Sequence, residues 1–254
     1  MKKMTTRYPI LNIRVDAVTM AEALARVVEF VENGNRLHTL FAVNPEKNFT
    51  VPTDPMLVAS FKNADMLIPD GIGMVLAARF LYGARLERVA GCELMQNICA
   101  LSAQKGYGIF IYGAKEVVNK GAVEALNRNY PGIRIVGRAN GYLAEDAMPE
   151  LVEQINDSGA QILFLALGSP KQEQWIARYR NQLTHIRVCQ GIGGTLDVLT
   201  GNVIRAPQIF CRLGLEWFYR LMKEPKRLER QLVLPVFAWQ VLMKKLRWTT
   251  DEHR

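Results

Sequence analysis

No run of about 20 apolar residues occurs in this 254-residue chain, so no segment reads as a helix crossing a bilayer. The nearest approach, Leu232 to Met243, is short, contains Pro235 and Gln240 and has basic residues at both ends, so it reads as interfacial. There are only three histidines and four cysteines. Cys92, Cys99, Cys189 and Cys211 form no C-x-x-C pair and have no histidine at zinc spacing, which argues against a zinc site and for reduced thiols packed in the core of a cytosolic protein. The basic stretch Met1 to Arg7 leads into Ile10 to Val15, too short and interrupted for a signal-peptide core. An early G-x-G-x-x-G is missing, which weighs against a dinucleotide fingerprint. No D-x-D pair is present to hold a metal with a diphosphate. Internal repeats, low-complexity tracts and Gly/Ser linkers are absent too.

What is present is a globular composition, 49% hydrophobic against 22% charged, at a length that suits one large domain or two small ones. The formal charge is +8, and residues 205–254 hold 11 bases against 5 acids. The basicity thus belongs to the C-terminal fifth and points to an anionic partner there, lipid headgroups or nucleic acid. We divide the chain into a body, 1–204, and an appendage, 205–254.

Along the body, apolar runs alternate with helix-periodic segments, as in a wound parallel sheet. Thr19 and Glu22 fit a capping box before Leu24, Val27, Val28 and Val31 at helical spacing. Strands are expected at Leu40–Val43, Met66–Ile68, Ile109–Tyr112, Ile133–Val136, Ile162–Leu167 and Ile186–Gln190. Helices are expected over Ile72–Leu81, around Val118, Ala122, Ala125 and Leu126, and around Trp175 and Tyr179. Ile162–Leu167 is apolar throughout, as a central strand covered on both faces would be. Asn44, Asp70, Gly113, Gln172 and the glycines from Gly191 fall just past strand ends, the edge where open parallel sheets bind ligands.

Each chemistry-bearing segment has two readings. Asp70, in Pro69-Asp70-Gly71, is a carboxylate on a rigid turn, suited to a general base or to a helix N-cap. Gly191 to Asp197, GIGGTLD, would cradle a diphosphate through backbone N–H groups or make a plain tight turn. Gly168 to Gln174, GSPKQEQ, offers Lys171, Gln172 and Gln174 to a ligand or to solvent. Arg212, Glu216 and Arg220 make a charged stripe beside Ile209, Leu213, Trp217 and Leu221. Beyond them Pro235 interrupts a segment carrying Phe237, Trp239 and Trp248, with Lys226, Arg227, Arg230, Lys244, Lys245 and Arg247 supplying charge. That mixture suits an anionic membrane surface, at about 1 kcal/mol for each base, or packing against the body or a partner subunit.

The Asn44-Pro45-Glu46-Lys47 segment, IPDGIGMV from Ile68, ERVAG from Glu87, IYGAKE from Ile111, VGRANGY from Val136, ALGSPKQE from Ala166, GIGGTLDVLTG from Gly191, and RAP with LGLEWFYRLMKEPKR from Arg205 to Arg227 together resemble the WecG/TagA/CpsF family of bacterial glycosyltransferases. They occur in family order across nearly the whole chain to about Arg230. The resemblance implies an α/β, Rossmann-like parallel sheet with helices on both faces and a C-terminal amphipathic helical appendage that completes the active site. It implies transfer of a sugar from a UDP-sugar donor to a polyprenyl-diphosphate-linked sugar acceptor in surface-polymer synthesis, at the cytoplasmic membrane face. Carried onto this sequence, Asp70 is the base, Arg88, Gln172, Arg220 and Arg227 serve catalysis, and Asn44, Gly113, Ala114, Val136, Gly193, Gly194, Asp197 and Arg230 bind substrate. Ala42 stands where some members have threonine, so a hydroxyl contact to sugar or acceptor is missing.

We therefore expect an inverting transferase of a hexose or N-acetylhexosamine, N-acetylmannosamine-type favoured. Partners are the donor, the acceptor and an anionic membrane surface, not nucleic acid, and assembly as a homo-oligomer is left open. No cofactor is expected, and no metal. Rival readings are an NAD-dependent oxidoreductase and a non-catalytic membrane-surface adaptor.

Overall fold

The structure, a computed structural model, describes residues 6–204, 206–207, 210, 216–223 and 231–251, without the side chains of Arg220 and residues 249–251. It opens on an antiparallel hairpin, β1 (Arg7–Ile10) and β2 (Ile13–Asp16). The turn places Leu11 at φ 54, a conformation that sequence rules reserve for glycine or asparagine. For that reason the hairpin escapes a reading by residue type. Helix α1 (Met20–Asn33) follows behind the expected capping box, burying Ala23, Val27 and Val31.

The chain then runs through β3 (His38–Val43), α2 (Lys47–Thr50), α3 (Pro55–Lys62), β4 (Met66–Pro69), α4 (Ile72–Tyr82), α5 (Gly91–Lys105), β5 (Gly108–Gly113), α6 (Glu116–Asn129) and β6 (Arg134–Ala139). It continues through α7 (Met148–Asp157), β7 (Ile162–Ala166), α8 (Lys171–Tyr179), β8 (Val188–Gly191) and α9 (Thr195–Leu199), with α10 (Glu216–Lys223) and α11 (Val233–Asp251) in the appendage. Strands β3 to β8 form one six-stranded sheet in the order β4-β3-β8-β7-β5-β6. Every pairing in it is parallel.

Side chains alternate across this sheet and build two cores. One holds Phe41, Leu67, Phe110, Leu163 and Cys189, packed under residues of the hairpin and of α3, α4, α7, α8 and α11. The other holds Leu40, Met66, Ile109, Phe164 and Val188, packed under residues of α1, α5, α6 and α9. Helices cover both faces, as expected, and all of β7 is buried. Burial pushes the Cys99 thiol up to about 12 and the Cys189 thiol further still, so these two cysteines are inert core residues.

The appendage departs from expectation at Pro235. It does not interrupt the helix; it lies at the third position of α11, in the first turn, where a missing N–H costs no intrahelical hydrogen bond. Phe237 and Val241 are buried within the body's core and Trp248 meets Tyr82 edge-on at 5.3 Å, so this face of α11 packs on α4 rather than facing lipid. Trp239 on the other side is 61% exposed. Among the described residues no helix is long and apolar enough to cross a membrane.

Candidate active site

Helices after β3 and β7 pack on one face of the sheet, while the helix after β8, which lies between them, packs on the other. Connections that part in opposite directions leave a crevice at the carboxyl ends of the strands. Here it is a cleft of about 870 Å³, lined among others by Asn44, Asp70, Arg88, Gln172, Gly193, Gly194 and Asp197. Seven of the thirteen residues expected from the sequence thus share one opening.

Asp70 follows β4 and accepts the backbone N–H of Gly91, the first residue of α5, at 2.7 Å. The N-cap reading is therefore realised, but for a helix that starts 21 residues later. Helix α4, directly after Asp70, has no side-chain cap. The Gly91 carbonyl accepts from Gln190 Nε2 at 2.9 Å, so Gly91 is held from both sides. A Cβ on Gly91 would stand 3.4 Å from the Ala42 methyl and 3.9 Å from Asp70 Oδ1, which puts the threonine-to-alanine departure beside the carboxylate.

Also in the lining, Lys47 Nζ donates to Glu173 Oε1 at 2.6 Å and to the Ser169 hydroxyl. Glu173 is 1% exposed. Gln172 Nε2 lies 3.4 Å from the same Glu173 oxygen, and Gln172 Oε1 accepts the Gly193 N–H at 3.1 Å. That amide of the expected diphosphate cradle is thus already engaged by a side chain. Gln172 lies so close over the turn that a Cβ at Gly191 would meet its Nε2 at 2.4 Å, which accounts for that glycine. Asn44, a candidate ligand, uses Oδ1 to accept the Lys47 backbone N–H at 3.2 Å. The solvated reading of the first turn of α8 holds only for Lys171, since Gln172 and Glu173 are buried and Gln174 donates to Asp54 at 2.8 Å.

Arg88, in the loop before α5, donates to Glu216 Oε2 of α10 at 3.1 Å, with both side chains largely buried. Glu216, expected on a charged stripe, thus reaches the body, while Phe218 and Met222 on the same helix stay exposed. The backbone of Arg220 belongs to α10, and Arg227 and Arg230 lie outside the described residues.

Gly113, Ala114 and Val136 do not line the cleft, because β5 and β6 lie beyond β7 along the sheet edge. Gly113, at φ 129, must be glycine for a packing reason: a Cβ there would meet the Ala166 backbone at 2.5 Å. Val136 is not at a strand end. It is the extra residue where the register shifts from Ile109↔Ile135 to Phe110↔Gly137, three residues short of the carboxyl end of β6. Among the described residues no group of three or more His, Cys, Asp or Glu is placed to hold a metal ion.

Lys47, Glu173, Gln190 and Glu216 are the site residues that sequence reasoning missed. Lys47 and Glu173 stood inside quoted motifs, yet a charged residue at a helix start looks the same whether it faces solvent or a buried partner. Only the strand order brings residues 126 positions apart into contact.

The sequence profile described as "Glycosyl transferase WecG/TagA/CpsF family" matches residues 8–251. An N-acetylglucosaminyldiphosphoundecaprenol N-acetyl-beta-D-mannosaminyltransferase of Bacillus subtilis (strain 168) is 37% identical over 203 residues, 80% of this chain and 78% of the relative. The enzyme of the same name from Bacillus spizizenii is 36% identical over the same length and shares.

Proposed function

This chain belongs to the WecG/TagA/CpsF family of glycosyl transferases, and from that membership we propose that it moves a hexose or N-acetylhexosamine, N-acetylmannosamine favoured, from a UDP-sugar to a hydroxyl of a polyprenyl-diphosphate-linked saccharide. The oxidoreductase and adaptor readings give way to the family match. The observation that carries the proposal is the convergence of Asp70, Arg88, Gln172 and Asp197 on one cleft at the carboxyl edge of the sheet. Its lining includes apolar side chains, among them Leu76 and Phe80 of α4 and Leu242 of α11, which suits a lipid-linked acceptor of the class that the relatives are named for.

In this mechanism Asp70 takes the proton of the acceptor hydroxyl as its oxygen attacks the anomeric carbon. The bond to UDP breaks on the opposite side, inverting that carbon. The Gly91 N–H fixes one oxygen of the carboxylate, so the base is oriented before substrate arrives. Arg88, the Gln172 amide and the appendage arginines Arg220, Arg227 and Arg230 meet the charge growing on departing UDP. Losing one such donor costs about 2.7–4 kcal/mol in barrier. These hydrogen-bond donors would take the part that a metal takes elsewhere, so we assign the enzyme no metal cofactor. Gly113 and Ala114 sit one strand beyond β7, where the uridine would extend along the edge. The basic appendage would hold the enzyme peripherally at the cytoplasmic face of the membrane that carries its acceptor.

The test is a screen of UDP-sugars against short-chain polyprenyl-diphosphate sugars, read by mass spectrometry with and without EDTA. The expected result is one donor transferred at equal rate in both conditions. Transfer only with added divalent metal would overturn the cofactor assignment, and no transfer with any pair would overturn the reaction.

A further inference from the structure

The Lys47–Glu173 pair has no part in the reaction as drawn above, yet it sits against the cleft. We propose that Glu173, paired with Lys47, is a positioning residue that fixes the orientation of the Gln172 amide and, through it, the glycine turn after β8. The inference rests on the reading of Gln172 as a contact to the donor diphosphate.

The argument starts from what each neighbour of Gln172 can do. A carboxylate only accepts and a backbone N–H only donates. Gln172 lies between one of each: Nε2 faces Glu173 Oε1 at 3.4 Å, and Oε1 faces the Gly193 N–H at 3.1 Å. Turned over, the amide would set oxygen against carboxylate and NH2 against N–H. Glu173 therefore permits one orientation, which leaves the second N–H of Nε2 for an acceptor such as a diphosphate oxygen. A glutamine at 173 could donate or accept and would impose nothing.

Lys47 makes this arrangement affordable, since a lone carboxylate 1% exposed is costly. The ammonium is 2.6 Å from Glu173 Oε1, donates to the Ser169 hydroxyl and stands 5.4 Å from the centre of the Phe61 ring. Topology gives the pair its span. β3 and β7 flank β8, so Lys47 after β3 and Glu173 after β7 join the two neighbours while Gln172 pins the turn between them. Stability alone does not account for such charges: an apolar pair of similar volume is commonly as stable or more so, and Glu173 Oε2 is buried with no hydrogen-bond partner.

Steady-state transfer and UDP titration on the full chain test the proposal. Gln172→Ala and Glu173→Gln should each lower kcat/KM for the donor by about tenfold or more, and together no further than Gln172→Ala alone, because one acts through the other. Multiplied losses would mean independent, structural effects and would overturn it. The double variant Lys47→Met/Glu173→Leu, which removes both charges, should keep its thermal midpoint within a few degrees and still lose donor kcat/KM. Wild-type transfer by that variant would also overturn it. If Gln172→Ala leaves both transfer and UDP affinity intact, the placement of Gln172 in the donor site fails and the proposal goes with it. A silent Glu173→Gln beside a damaging Gln172→Ala sinks the positioning role alone.

Discussion

Asp70 joins the cap seen in the structure to the base proposed above, two roles that residue types alone hold apart. Because its carboxylate caps α5 as well as facing the cleft, removing the side chain and removing the charge should differ. Asp70→Asn keeps an oxygen for the Gly91 N–H, so the fold should keep its stability while turnover falls about 100-fold. Asp70→Ala should lose the same activity and about 1 kcal/mol of stability besides, from the missing cap. Thermal melts beside initial rates separate the two, and near-normal turnover in folded Asp70→Asn would remove Asp70 as the base. Asp65 carries a different consequence. Burial works against its ionisation, but Arg36, the Thr39 amide and His38 together hold its carboxyl below the usual range. A depressed folded value means the stabilisation is present above the unfolded pKa of about 3.9 and is lost as pH falls through the folded one. Asp65→Asn should therefore flatten the acid limb of a plot of melting temperature against pH, and an unchanged limb would show that other carboxylates set it.

Among helices and strands, legibility followed where each element finds its signals. Helix α1 carries its own cap and its own apolar spacing, and β7 is apolar throughout, so both could be read locally. Helix α5 opens on Gly91 with no cap within reach along the chain, since its capping carboxylate belongs to the turn after β4. It stayed invisible for that reason, as did Lys47 and Glu173, whose partners are set by strand order. In α11, Phe237 and Val241 are spaced by four and mark the face that packs on the body, while the Trp239 side stays open. Truncation after Ile204 should leave a body that unfolds cooperatively and binds UDP but transfers no sugar. It should also melt at a lower temperature, since each buried apolar side chain lost is worth about 1.5–3 kcal/mol. Transfer by the truncated body at the full-length rate would end the role of the appendage in the active site.

The chain taken together is electrically lopsided, nearly neutral through the sheet and basic from residue 205, where 11 bases meet 5 acids. Exposed Trp217, Phe218, Trp239 and Leu246 accompany that charge. The full chain should bind vesicles containing anionic lipid at about 0.05 M salt and release them near 0.5 M, as screening shortens the reach of the charges. Trp239→Ala should weaken binding without changing that salt dependence. Indifference to anionic vesicles at low salt would rule the membrane role out. The sheet has a history as well as a shape. β8, the last of its strands to be made, is placed between β3 and β7. A ribosome therefore releases two unfinished sheets, β4-β3 and β7-β5-β6, each with an open hydrogen-bonding edge awaiting the same partner. Neither can close until residue 191 emerges. A chain stalled before Val188 would carry two bare templates for edge-to-edge aggregation, so the nascent protein is most in need of a chaperone just before its cleft comes into being.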